Sequence, residues 1–363
     1  MNNNKSQSNR IQSVKMESAK MKSANTGYYG QKLYRKHLHL YINEKSQRNN
    51  MKQKTSILAL ASYLPDKKIT NQDLEKILDT SNEWIVKRTG IANRHIMTDQ
   101  DTVTSMAISN CAPLIEIAAK EKRAITSVIV ATSTSLTMPS IACQVCNHYD
   151  IDNAFAFDVN AACSGFIYAL NLANDRIKNH QEDCILVIGV DAMSQIIDWK
   201  DRSTAVLFGD GSGAVLLNRS DRSGLVAIKC GSSANGSEML KTESKNGQSQ
   251  LTMQGKEVFK YAVEKLFQAA SNLLSEHHID VESIDWIVPH QANIRILQQL
   301  MKKLCIPEHK LILTLKNHAN TSAASIPLAL DSATKSGKIK RGDRLLFLAF
   351  GAGFTWGAAI LDY

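Results

Sequence analysis

Proline is scarce in this chain, six in 363 residues, and no Pro-, Gly- or Ser-rich stretch divides it. With no linker to separate folding units, the sequence predicts one large compact body after its first 50 residues. Apolar runs are short as well. None approaches the roughly 20 consecutive apolar residues that cross a bilayer, and the N-terminal region has no run of signal-peptide length, so no membrane association is expected and the cytoplasm is the expected location. Cysteine occurs in the wrong number for a disulfide framework: seven, odd and scattered. Cys143-Gln144-Val145-Cys146 has the spacing of a metal or redox pair, but it falls on an amphipathic helical pattern with no second pair. Core packing is its expected role, with no metal and no cofactor.

Acidic residues are missing where the charge is concentrated. Of the formal net charge of +9, residues 1–50 carry +8, with ten Lys or Arg against two Glu, so the remainder is close to neutral. The charge belongs to a tail, and nucleic acid is not an expected partner. That tail is rich in Asn, Ser, Lys and Gln, too poor in apolar residues for a core, and is expected to be disordered. Its sparse Arg argues against an organelle transit peptide. Met51 precedes the first apolar strand, Ser56-Ile57-Leu58-Ala59-Leu60, and is the expected start of the native protein; peptides from residues 1–50 in native material would refute this.

What the chain does contain is a cysteine at a strand-to-helix junction, Asp158-Val159-Asn160-Ala161-Ala162-Cys163-Ser164-Gly165-Phe166. Helix N-termini carry unpaired N–H groups and partial positive charge, which favour a thiolate, so a lowered thiol pKa is expected there. Two more junctions bear polar donors: Pro289-His290-Gln291-Ala292-Asn293 after the strand Trp286-Ile287-Val288, and Asn317-His318-Ala319-Asn320-Thr321-Ser322 at the start of another helix. Singly, a buried Cys, a strand-end His and an Asn N-cap are ordinary structural features. Together, Cys163, His290 and Asn320 suit acyl transfer through a thioester, with two donors aimed at a carbonyl oxygen.

A diverged internal repeat at an offset of 160 residues brings these segments into one scheme. Asn160 corresponds to Asn320, Ala169 to Ala329, Leu170 to Leu330, Ala173 to Ala333, Asp183 to Asp343 and Leu186 to Leu346. Each half closes with a glycine-rich turn, Phe208 to Gly213 and Phe350 to Phe354. The agreement runs through helix, connection and strand, which chance explains poorly. Residues 51–225 therefore read as one α/β half, contributing Cys163, and residues 226–363 as a second, contributing His290 and Asn320.

From Thr55 to Tyr363 the chain resembles the β-ketoacyl-acyl carrier protein synthase III family of thiolase-like condensing enzymes. The likeness rests on Ser81 to Ile91, the Cys163 segment, Phe208 to Gly213, Pro289 to Arg295, Asn320 to Pro327 and Gly353 to Gly357. It implies an α/β fold of two duplicated halves packed as a layered αβαβα core. It implies a decarboxylating Claisen condensation: an acyl group, with acetyl-CoA the first candidate, passes from coenzyme A to Cys163, and malonyl-acyl carrier protein then attacks it. His290 and Asn320 would stabilise the enolate, and the backbone N–H groups of Cys163 and Ala352 the acyl carbonyl oxygen. Trp84 and Arg202 would sandwich the adenine of coenzyme A, with Arg88 and Thr89 nearby.

The helix expected over 294–304 carries Arg295, Lys302 and Lys303 on one side, and these would receive the acidic carrier protein. Met138 and Phe259 would line the acyl pocket, with residues 134–140 reaching a neighbouring subunit of a homodimer. Met138 stands where the family often has an aromatic ring, which predicts tolerance of longer primers. Ala319 and Ala352 replace usual glycines, a change that matters only where φ is positive. Two other readings stay open. One is a related synthase or acyltransferase using a longer acyl-CoA in specialised metabolism; the other is a non-catalytic coenzyme A or carrier-binding module.

Overall fold

The strand Cys184–Ala192 is buried at all nine positions. Such a strand has no face for water, so it must be covered on both sides. It lies in the middle of a five-stranded sheet whose order is Lys54–Tyr63, Asp210–Ser220, Cys184–Ala192, Ile125–Ala131 and Phe155–Val159. A second sheet runs Trp286–Pro289, Arg344–Gly351, Thr355–Asp362 and Gly224–Ser232. The computed structural model describes residues 54–363 apart from 136, 181, 222, 246 and 247. The expectations for residues 1–50 lie outside the described residues.

Alternation along the strands assigns their two faces. Ile129, Ala131, Ile185 and Val187 of the first sheet share one core with Leu345, Phe347 and Ala349 of the second. The intervening Val128, Val130, Leu186 and Ile188 face helices on the outside of the first sheet, and Leu346, Leu348 and Phe350 do the same for the second. This is the period-2 pattern of a pleated strand. Filling the shared core are two helices, Gly165–His180 and Ser325–Lys335, through Phe166, Ala169, Leu170 and Ala173 of one and Ile326, Ala329, Leu330 and Ala333 of the other. Small residues every fourth position let helices and sheets approach closely. Each fully buried Leu, Ile or Phe contributes about 1.5–3 kcal/mol. The outer helices include Val103–Ser109 and Ile141–His148 on one side, Gly255–Glu276 and Ile294–Lys303 on the other. The layers are thus αβαβα.

Local signals set the helix ends that matter for the site. Ser81 Oγ accepts from Trp84 N–H at 3.2 Å, and Gly90 closes the helix Asn82–Thr89 at φ +80°, so Trp84 and Arg88 ride on one short, capped helix. Asn293 caps Ile294–Lys303 by accepting from Arg295 N–H at 2.9 Å. That helix ends one residue before the expected 304 and buries Ile296, Leu297, Leu300 and Met301. The Cys143–Cys146 pair does lie on a helix, but Cys143 is exposed rather than packed in the core, and both thiols are free.

Candidate active site

Cys163 sits in a one-turn 3-10 helix, Ala162–Ser164, that leads into Gly165–His180. The turn is held by Asn160, whose Oδ1 accepts from Ala162 N–H at 3.1 Å, and it forces Ala162 to φ +48°. The same device recurs in the second half. Asn320 Oδ1 accepts from Ser322 N–H at 2.9 Å, and Ser322 has φ +50°. Left-handed backbone at non-glycine residues costs about 1–3 kcal/mol and persists where surrounding structure imposes it. In the second copy, Ala323 stands where the first has Cys163. Asn320 follows a short helix, Leu315–His318, and bridges to Phe208, so its junction is not the strand end expected from sequence.

The lowered thiol pKa expected for Cys163 is not what its surroundings give. Although the residue opens on a cavity and is half-buried, desolvation pushes its thiol up to about 12, and the Asp191 carboxylate adds to the rise. The Ser322 hydroxyl and the residue's own N–H oppose it without overcoming burial. Cys163 therefore rests as a thiol. Gly351 lies against its backbone: a Cβ there would come within 2.7 Å of Cys163 N. Among the described residues neither Cys163 N–H nor Ala352 N–H donates to a partner residue. Thr355 Oγ1 ties the two segments, lying 2.8 Å from Ala161 O and 3.1 Å from Ala352 O.

His290 and Asn320 are both buried, and with Cys163 they line one cavity of about 620 Å3. Burial holds the His290 pKa down at about 4, so the imidazole is neutral at physiological pH. Its Nδ1 lies 2.7 Å from Ser325 Oγ, which also accepts from Gln291 N–H at 3.3 Å. With that N–H already on the oxygen, the Ser325 proton is free for Nδ1, and Nε2 then keeps the ring proton as a donor. Because Ser322 N–H occupies Asn320 Oδ1, the Asn320 amide nitrogen is left as the free end of that side chain.

The same cavity is also lined by exposed cations. Arg88, Arg202, Lys256, Lys260 and Arg295 line it together with Trp84 and the half-buried Phe259. Arg202 lies 5.0 Å and Arg88 5.3 Å from the Trp84 ring centroid, so both guanidinium groups border the indole, and Asp79 O accepts from Arg202 at 2.6 Å. Thr89 also borders the cavity, but its hydroxyl donates to Ile85 O at 2.7 Å and accepts from Ile91 N–H at 3.0 Å; it secures the helix end.

Four further expected positions are placed as follows. Met138 is 97 % exposed and does not line the cavity within this chain. Phe259 lines the same cavity as Cys163, 5.9 Å from the Arg295 guanidinium. Lys303 is drawn to the neighbouring helix by Glu264 and the Phe267 ring, while Lys302 is exposed, and neither borders the cavity. Sequence reading missed Lys256 and Lys260, whose i, i+4 spacing at the start of a long helix was the available signal. Ser325, Gly351 and Asp191 were also missed. Their importance lies in contacts across the chain.

Comparison with known proteins places the same segments in one group. Residues 157–234 match the family model for 3-oxoacyl-[acyl-carrier-protein] synthase III, and residues 274–363 the model for its C-terminal part. The chain is 44 % identical over 312 residues to the β-ketoacyl-[acyl-carrier-protein] synthase III of Coxiella burnetii, covering 84 % of this chain and 98 % of that one. It is similar to the crystal structure of the Aquifex aeolicus 3-oxoacyl-[acyl-carrier-protein] synthase III, with a TM-score of 0.80, 42 % identity and coverage of 85 % and 100 %. The priming β-ketosynthase of the R1128 polyketide pathway matches with a TM-score of 0.81, 33 % identity and coverage of 85 % and 96 %.

Proposed function

Because the chain belongs to the β-ketoacyl-[acyl-carrier-protein] synthase III family, we propose that it joins an acyl-CoA primer to malonyl-acyl carrier protein and so initiates fatty acid synthesis. The observation that carries this reading is that Cys163 and the buried His290 and Asn320 line one cavity together with five exposed cations. Such a lining suits a thiol carrier whose phosphates meet the cations while its thioester reaches Cys163.

In the first half-reaction the Cys163 sulfur attacks the primer carbonyl; a carbon–sulfur bond forms, coenzyme A leaves as thiolate and takes the proton the cysteine loses. Cys163 N–H and Ala352 N–H receive the carbonyl oxygen. In the second, malonyl-carrier loses CO2, and the electron pair becomes an enolate whose oxygen accepts from His290 Nε2–H and the Asn320 amide. That neutral donors serve here follows from the depressed His290 pKa. The enolate carbon attacks the Cys163 thioester and expels the sulfur, which regains a proton. Electron pairs move only among carbonyls, thiols and CO2, so the reaction calls for no metal or redox cofactor.

Trp84 with Arg88 and Arg202 is the nucleotide end, where an adenine enters by displacing Arg202 from the indole. Arg295 and the nearby Lys302 suit an acidic carrier protein. Homodimerisation is supported by the edge strand Phe155–Val159, whose Phe155 is 52 % exposed, and by Met138, which would complete a neighbouring subunit's acyl pocket. No described helix is long and apolar enough to cross a membrane, in keeping with a cytoplasmic site of action. The second reading, a specialised synthase with a longer primer, is favoured by Met138 in place of an aromatic ring. A non-catalytic module is disfavoured by the intact trio.

Incubation with acyl-CoA primers from acetyl to decanoyl and malonyl-acyl carrier protein, read by mass spectrometry of Cys163 and of product, tests the proposal. Acetoacetyl-carrier from acetyl-CoA supports initiation, with some longer primers also accepted. Condensation with longer primers alone would make it a specialised synthase, and Cys163 acylation without malonyl-dependent product would overturn the condensing role.

A further inference from the structure

The repeated turn around Asn160 and Asn320 creates two pairs of backbone N–H groups that the offset of 160 residues places in correspondence. At the nucleophile these are Cys163 N–H and Ala352 N–H, both without a protein acceptor beyond the Cys163 sulfur among the described residues. Their counterparts are Ala323 N–H and Ala192 N–H, and both of these are occupied. Asp191 Oδ2 accepts from Ala323 N–H at 3.0 Å, and Thr134 Oγ1 accepts from Ala192 N–H at 2.8 Å. Thr134 in turn donates to Asp191 Oδ1 at 3.0 Å. The strand position that holds Asp191 in one half holds Gly351 in the other, and Gly351 is the residue whose missing Cβ leaves Cys163 N–H uncovered.

Asp191 is fully buried, and its carboxyl is satisfied by neutral donors alone among those shown for it. Besides Thr134, Oδ1 accepts from Ser133 N–H at 2.7 Å, Ser133 Oγ at 3.1 Å and Thr132 Oγ1 at 3.2 Å. One side chain thus joins the loop that leads to Met138 to the turn that presents Asn320. Each of its two oxygens takes a backbone N–H from a different segment. An amide has only one carbonyl oxygen, so asparagine cannot serve both, and the unserved N–H would face an NH2 group.

We propose that the second turn is an oxyanion hole permanently filled by the protein's own carboxyl, and that Asp191 is thereby a positioning residue for condensation: it fixes the Asn320 turn against the Thr132–Thr134 loop. The inference rests on the condensing function proposed above. Filling the second hole makes that turn rigid, and an enolate donor displaced by about 1 Å can lose up to a hundredfold in rate. Acylation of Cys163 uses the open hole and is not expected to depend on the filled one to the same degree.

The test is Asp191→Asn, with Cys163 acylation by acyl-CoA and malonyl-dependent product formation measured separately in the full-length protein. Condensation should fall about tenfold or more beyond any change in acylation, which loss of the Asp191 charge beside the Cys163 thiol also touches. Equal losses in both steps, or condensation at the wild-type rate, would overturn the proposal. If Asp191→Asn does not fold, Thr134→Val serves, since it removes the acceptor of Ala192 N–H and leaves Ala323 N–H on Asp191. It should show the same split at about threefold, and an even loss or none at all would be equally decisive. A wild-type protein that acylates but never condenses would instead remove the underlying function and is read from the wild-type arm alone.

Discussion

Among the described residues, Cys163 N–H and Ala352 N–H donate to no partner residue, whereas at Ala323 the two that correspond to them are closed by Asp191 and Thr134. The turns share an Asn cap and a left-handed residue, so backbone geometry alone does not make a catalytic centre. What separates them is one side chain on the adjoining strand. Glycine leaves the donors uncovered, as the proposed function requires of an oxyanion hole; aspartate occupies the corresponding donor and joins two loops.

The strongest way to break this contrast is to give the open turn the occupant of the closed one. Gly351→Asp places a side chain where even a Cβ would lie 2.7 Å from Cys163 N. Condensation should fall at least about a hundredfold, the cost of losing one oxyanion donor, as read by β-ketoacyl product. Product at the wild-type level would show that Cys163 N–H is not used.

A second prediction concerns His290, which serves the open side. Its folded pKa near 4 lies below the ordinary value of 6.5. Between those values the unfolded chain holds a proton that the native state does not, so stability falls as pH drops from about 7 toward 4 and is complete above 6.5. His318, also pushed down to about 4 by burial, acts in the same sense. Melting temperature should decline through this window, less steeply in His290→Gln, while kcat shows no acid limb near pH 6.5. An acid limb there would mean a solvated imidazole.

The smallest effect sharpens the comparison between the two alanines that replace usual glycines. Ala319 has φ +58° and ψ −160°, a region that strongly favours glycine, whereas Ala352 is not left-handed. Ala319→Gly should stabilise the protein by up to about 1 kcal/mol in urea unfolding. Ala352→Gly should not raise the condensation rate, since it has no such strain to relieve.

Much of this was legible in the sequence, for physical reasons. Periodicity and the repeat located the elements, because a strand buried on both faces must be apolar throughout, and Cys184–Ala192 is nearly so. That Cys163, His290 and Asn320 share one cavity was legible because each stands at a junction of the repeated pattern. The Cys163 pKa was misjudged because position at a helix start is written in the sequence while desolvation depends on everything folded around it. The partners of Phe259 and Lys303 were illegible for a similar reason: each lies on another helix, Arg295 for one and Glu264 for the other. Asp191 looked like one more residue at the end of an apolar strand. Its donors come from Thr132, Ser133, Thr134, Ser322 and Ala323, and no local pattern announces them.

The contact between Arg202 and Trp84 gives the two substrates unequal routes through the same entrance. Under the proposed function, a primer on coenzyme A brings an adenine to the Trp84 end, where the base and the Arg202 guanidinium compete for the indole. Malonyl-carrier brings the same flexible arm without a base, so its arrival leaves the stack closed. Indole fluorescence therefore distinguishes the two visits: it should respond to coenzyme A coming and going and stay silent to the carrier, marking which half of the cycle is under way.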